Sequence, residues 1–168
     1  ARQAVRKSLV MLKNEQSLIP LQPKGTYLIT GPGADDIGMQ SGGWTISWQG
    51  TGNVKSDFPG GTSILDGLAD QIDAAGGRVL SAKDYPGSEK PDAVIYVFGE
   101  TPYAEGVGDI ETLAWQQRSQ HDKKAIDYWR AQGIPVVSVF VTGRPRWVNA
   151  EINASNAFVV AWLPGSEG

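Results

Sequence analysis

"AVIYVFG", residues 93–99, is an unbroken apolar run that ends on glycine. A strand with one wet face alternates apolar and polar residues, so a run without alternation predicts a strand covered on both faces, as in a parallel sheet. "PVVSVFVTG" (135–143) and "AFVVAWLP" (157–164) read as further buried strands. Between the first two runs, Ala125, Ile126 and Trp129 recur at helical spacing, Ser119 and Asp122 resemble a capping box, and Gly133 supplies a stop. Upstream, "TYLIT" (26–30) is a β-rich run closed by Gly31. Ser63 and Asp66 form a second capping-box pattern before the apolar stripe Ile64, Leu65, Leu68, Ala69, Ile72 and Ala75, with Gly76 at the helix end. "RVLSA" (78–82) then reads as a short strand, "KDYPGSEKPD" (83–92) as a polar loop, and a short helix is predicted near 146–152. The alternation of strand and helix predicts an α/β fold: a three-layer α/β/α sandwich with a mostly parallel sheet, flavodoxin-like in general layout. At the start, Val5, Leu9 and Leu12, with Val10 alongside, predict a helix over 2–13, and "NEQSLIPL" follows as a loop or short edge segment.

The length of 168 residues suits one domain with a core of its own. Apolar residues make up 40% and charged residues 20%, the composition of a globular chain. A net charge of −3 and a pI near 5.1 leave no basic field, which argues against nucleic acid or an anionic membrane as partner. The absence of cysteine excludes disulfides, zinc–thiolate sites and thiol catalysis. No apolar run approaches the roughly 20 residues of a membrane span. The single histidine, His121, falls in the first turn of a helix and reads as a surface residue, so a Ser–His–Asp triad within this chain is not expected. No metal-ligand cluster is visible in the sequence and no cofactor is called for. The chain begins inside a helical pattern without Met and stops in mid-loop, which points to a domain excised from a longer protein.

Sheets of this kind meet their ligands at the carboxyl ends of the strands. The loops there are 31–61, 99–118, 142–147 and 164–168, and the first two are longer than a connector needs. "GPGADD" (31–36) follows a strand as phosphate-cradling turns do, but Asp36 stands where a dinucleotide fingerprint has its third glycine. A tight turn in which Asp35 or Asp36 caps backbone amides is the plainer reading. "FGETPYAEGVGDIE" (98–111) holds Glu100, Glu105, Asp109 and Glu111. Hydrolysis of a glycosidic bond needs a carboxylic acid beside the leaving oxygen, kept protonated by apolar cover and neighbouring negative charge. Tyr103 and Trp48 are candidates for that cover. From pattern alone, acidic loop residues are mostly solvated or capping, and a catalytic role is the less common one. Arg144 and Arg146 in "TGRPRW" (142–147) either bind a carboxylate of a neighbouring loop or domain or are solvated. "SGGWTISWQGTG" (41–52) places Trp44 and Trp48 among glycines. An indole offers a broad, stiff, apolar face to the C–H face of a sugar, and glycines let the backbone come close. Core burial and a site role both stand for Trp44; Trp48 leans to the site. Trp115, Trp129, Trp147 and Trp162 read as packing residues.

"RKSLVMLKNEQSLIPL", "GGWTISWQG", "VFGETPYAEGVGD", "TGRP" and "AWLPGSEG" together resemble the second domain of family 3 glycoside hydrolases, most of all the exo-acting β-glucan glucohydrolases and β-glucosidases. The motifs run in order from end to end of the chain. The resemblance implies an α/β sandwich that follows a TIM-like barrel, the barrel carrying an aspartate nucleophile absent from these residues. It implies that Glu105, the glutamate of "PYAE", is the general acid/base. It implies that Trp48, in "WQG", clamps the sugar beyond the cleavage point and that Trp44 lines the same pocket. Glu100 then matches a commonly acidic position that is not the proton donor. The implied partners are a β-glucan or β-oligoglucoside substrate and the barrel, and the implied setting is secreted or periplasmic. With no proton-transfer role, the chain would instead be a glycan-binding or interface module.

Overall fold

The computed structural model describes residues 1–82, 85, 87, 89–116 and 119–168. Lys83, Asp84, Pro86 and Ser88 of the polar loop, and Gln117 and Arg118 of the loop 99–118, lie outside the described residues. The elements in chain order are α1 (Arg2–Ser8), β1 (Val10–Asn14), β2 (Thr26–Thr30), α2 (Ile37–Ser41), α3 (Ile64–Ala74), β3 (Arg78–Ser81), β4 (Ala93–Gly99), α4 (His121–Ala131), β5 (Val136–Val141), α5 (Asn149–Ala154) and β6 (Ala157–Ala161).

The described strands form one sheet in the order β1-β6-β5-β4-β2-β3. All neighbours are parallel except β1, which runs antiparallel to β6 along the edge. Counted from the first parallel strand, the parallel order is 2-1-3-4-5, the flavodoxin order, and it reverses between β2 and β4.

Two cores sit on opposite faces, sorted by the period-two alternation of the strands. Tyr27, Ile29, Ile95, Val97, Val137 and Val141 pack against Ile64, Leu65, Leu68 and Ile72 of α3. Leu28, Val94, Tyr96, Phe98, Val136, Phe140 and Phe158 pack against Ile126 and Trp129 of α4 and Ala154 of α5. The result is the expected three-layer sandwich. Phe98 ties the second core together, with ring centroids 5.1 Å from Phe140 and 6.2 Å from Phe158. Both faces of β4 are therefore apolar for a reason its sequence displays.

Local signals succeed at α3 and fail at α4. Ser63 Oγ accepts from the Asp66 N–H at 3.1 Å, and Asp66 Oδ2 accepts from the Ser63 N–H at 3.2 Å, a complete capping box. At α4 the helix begins instead at a left-handed Gln120 with no side-chain cap. Asp122 is buried and turned to the core, where it accepts from Tyr96 Oη at 2.8 Å and Trp115 Nε1 at 3.0 Å. Two strong donors inside the fold outcompete the capping geometry that Ser119 offered. The helix expected over 2–13 stops at Ser8, because Leu9 is extended (φ −62°, ψ 134°) and residues 10–14 pair with β6. A row of ladder hydrogen bonds on an open sheet edge overrides helical periodicity. The short helix near 146–152 lies slightly later, at Asn149–Ala154.

Candidate active site

β2 and β4 leave the sheet on either side of the point where strand order reverses, and the two long loops follow them. The first turn is pressed against the neighbouring strand. A Cβ on Gly31 would lie 2.2 Å from the Val97 carbonyl oxygen, and its φ of 102° is open only to glycine. Asp36 caps α2, its Oδ1 accepting from the Met39 N–H at 2.9 Å, while Asp35 pairs with Lys55 at 2.7 Å. The carboxylate of Asp36 thus takes the helix start where a phosphate would sit.

After α2 the chain folds back on itself, with the Trp44 N–H donating to the Trp48 carbonyl at 2.8 Å. A Cβ on Gly43 would lie 2.0 Å from the Tyr103 carbonyl oxygen, so the two loops meet backbone against backbone only because residue 43 has no side chain. Trp44 (φ 59°) and Ile46 (φ 63°) sit in the left-handed region, each at a cost of about 1–3 kcal/mol. Both indole rings face outward: Trp44 is 69% and Trp48 55% exposed, so neither belongs to the core. Their centroids are 6.3 Å apart with planes tilted by 49°.

Glu105 stands beside this pair. Trp48 Nε1 donates to Glu105 Oε2 at 2.8 Å, Gln49 Nε2 donates to the Glu105 carbonyl at 2.9 Å, and the Ala104 N–H donates to Gln49 Oε1 at 2.7 Å. The Glu105 side chain is exposed, and the Trp48 indole N–H holds its carboxyl below the usual carboxylate range. Trp48 therefore acts on Glu105 as a donor that favours the anion rather than as apolar cover. Tyr103, the other expected cover, stacks under the Arg144 guanidinium at 3.9 Å.

The arginines have one shared purpose. Buried Glu100 accepts from Thr142 Oγ1 at 2.6 Å, from Arg144 Nε at 3.0 Å and from Arg146 Nη1. Burial pushes the Glu100 carboxyl up, but the hydrogen bonds of Thr142, Arg144 and Arg146 more than reverse this and leave it below its ordinary value. The remaining guanidinium N–H groups hold loop carbonyls: Arg144 donates to Gly108, and Arg146 donates to Leu113 at 3.0 Å and Ala114 at 2.9 Å. Of the two readings of these arginines, the carboxylate partner is the one the fold uses.

Asp109, Glu111 and His121 are exposed, His121 at the first position of α4. Among the described residues no group of three or more His, Cys, Asp or Glu is placed to hold a metal. Trp115, Trp129 and Trp162 pack against the second core. Trp147 does not: it is 69% exposed, because its backbone pairs with Leu113 and Trp115 across the loop rim and leaves the ring outside. The structural part played by Gln49 had no sequence signal beyond its place after Trp48.

The sequence profile of the glycosyl hydrolase family 3 C-terminal domain matches residues 9–168. The chain belongs to this family. It is 33% identical to a lysosomal beta glucosidase of Dictyostelium discoideum over 96% of this chain and 21% of that protein. It is 26% identical to a periplasmic beta-glucosidase of Salmonella typhimurium over 100% of this chain and 25% of that protein. The crystal structure of an exo-1,3/1,4-beta-glucanase from a Pseudoalteromonas species superposes with a TM-score of 0.95 at 52% identity, covering 99% of this chain and 21% of that one. The family 3 domain described here thus spans about a fifth to a quarter of the length of these relatives.

Proposed function

We propose that this family 3 domain supplies the general acid/base, Glu105, to a retaining, exo-acting β-glucosidase or β-glucan glucohydrolase. The observation that carries this reading is the contact between Trp48 Nε1 and Glu105 Oε2 at 2.8 Å, which sets a carboxylate at the edge of an exposed indole. A glucose unit stacked on Trp48, with Trp44 lining the same pocket, presents its glycosidic oxygen near that carboxyl. An aspartate on a preceding barrel attacks the anomeric carbon as the C–O bond breaks, and the Glu105 proton passes to the departing oxygen. Glu105 then takes a proton from water as that water displaces the aspartate and releases glucose with retained configuration. The substrate and the barrel would close over Glu105, and that loss of water raises its affinity for a proton against the pull of Trp48.

The chain as given would be inactive, since the nucleophile lies on the barrel. The names of the relatives support a β-glucoside or β-glucan substrate and a periplasmic or lysosomal setting for the parent protein. Among the described residues no helix is long and apolar enough to cross a membrane. A glycan-binding or interface module is the weaker reading, because Glu105 faces outward and both arginines are taken by Glu100.

The test is Glu105→Gln in the full-length protein. Turnover of cellobiose-like substrates, whose leaving groups need a proton, is expected to fall by about 10²–10⁴-fold. Aryl glucosides with acidic phenols should form the glycosyl-enzyme nearly normally, and azide should speed its breakdown. Unchanged cellobiose turnover in that variant removes Glu105 from the role.

A further inference from the structure

We propose that Gln49 is a positioning residue for the acid/base: its side-chain amide clasps the backbone at Ala104 and Glu105 and so fixes the direction of the Glu105 carboxylate. This rests on the assignment of Glu105 given above. Both ends of the amide are used, Oε1 on the Ala104 N–H at 2.7 Å and Nε2 on the Glu105 carbonyl at 2.9 Å. One side-chain amide thus bridges the N–H of one residue and the carbonyl of the next. From outside its own loop, Glu105 is held by Gln49 through the backbone and by Trp48, with Trp44 beside it, through the carboxylate. The next residue, Gly106, gives no lateral support: its φ is 82° and a Cβ there would meet nothing within 4 Å. The arginine cluster grips the loop further on, at Gly108, Leu113 and Ala114.

Gln49 and Trp48 are consecutive on the loop 41–52, whose backbone is left-handed at Trp44 and Ile46. The indole that receives the leaving sugar and the amide that aims the proton donor are consequently set by one piece of backbone. A misplacement of about 1 Å in such an arrangement can cost on the order of 100-fold in rate. The clasp therefore acts on the chemical step that needs the proton, and substrate affinity is left to Trp48.

The experiment uses Gln49→Met in the full-length enzyme, which keeps the side chain's length and removes both hydrogen bonds. Expected is a fall in kcat of about 10–100-fold on cellobiose-like substrates with KM little changed. Glycosyl-enzyme formation from acidic aryl glucosides should fall less than threefold, and azide should partly restore their turnover. In a Glu105→Gln background the same change should add almost nothing, because no proton donor remains to be aimed. Should Gln49→Met fail to fold by circular dichroism, Gln49→Glu serves instead. It keeps the acceptor for Ala104, sets a carboxylate oxygen against the Glu105 carbonyl, and is expected to show the same dependence on leaving group. Equal losses on both substrate classes, or losses additive with Glu105→Gln, overturn the positioning role. If Glu105→Gln itself leaves cellobiose turnover intact, it is the underlying acid/base assignment that fails. If Glu105→Gln suppresses turnover and Gln49→Met does not, the positioning role alone is lost.

Discussion

Glu100 and Glu105 leave the same strand end and meet opposite surroundings. Glu100 sits where β4 ends, is buried, and accepts from Thr142, Arg144 and Arg146. Glu105 sits at the loop tip in solvent, with the Trp48 indole N–H on its carboxylate and Trp44 also favouring the anion. A carboxylate surrounded by cations has no proton to exchange and serves as a bolt. A carboxylate in reach of solvent and of an apolar platform can change its protonation during a reaction. The difference teaches that, in an acidic loop, the residue with the most partners is the structural one.

The comparison breaks most sharply in activity. Glu105→Gln should cost about 10²–10⁴-fold in turnover of poor leaving groups, while urea unfolding shows stability within about 0.5 kcal/mol of wild type, as for an exposed side chain away from packing. Glu100→Gln should do the reverse in kind. It leaves two guanidiniums, with side chains 22% and 11% exposed, without their counter-charge, at a cost of about 3 kcal/mol in urea unfolding. If both substitutions cost stability alike, the division between bolt and proton donor is gone.

Next in size is Trp48→Ala, expected to weaken kcat/KM for disaccharides by about 10-fold, the loss of one stacked ring, and to spare aryl glucosides. Equal loss on both substrates would count against a leaving-group platform. Acid titration sharpens the contrast further. The folded value of Glu100 lies below its ordinary one, so its contribution to stability is complete above about pH 4.3 and drains as pH falls through the lower folded value. Urea midpoints measured from pH 7 to pH 2 should drop in that acid range for wild type and less steeply for Glu100→Gln, the lowered carboxyls of Glu15, Asp66 and Glu105 keeping part of the slope. The smallest effect is on Glu105 itself. Trp48→Phe removes the N–H that favours the anion, so the Glu105 carboxyl should titrate at higher pH by carbon NMR. An unchanged or lower midpoint would mean that the indole does not set it.

Much of this was legible along the chain. The unbroken apolar run at 93–99, and the run at 136–141 interrupted only by Ser138, identify strands covered on both faces, since only such burial tolerates a lack of alternation. Ser63 and Asp66 announce the start of α3, because a capping box is satisfied within four residues. Motif order singles out Glu105, Trp48 and Trp44 as candidates, and the fold brings the three side chains together. Other features were decided only when distant segments met. Residues 10–14 left the helical pattern because β6 offered a ladder, Asp122 turned inward because Tyr96 and Trp115 were there to donate, and Trp147 was left outside by a backbone bridge. The clasp of Gln49 on residues 104 and 105, and the choice of Glu100 rather than Glu105 as the arginines' partner, belong to the same class. Local hydrogen bonds and hydrophobic period are written into neighbouring residues. A partner tens of positions away has no address in the sequence until the sheet brings the loops to one rim.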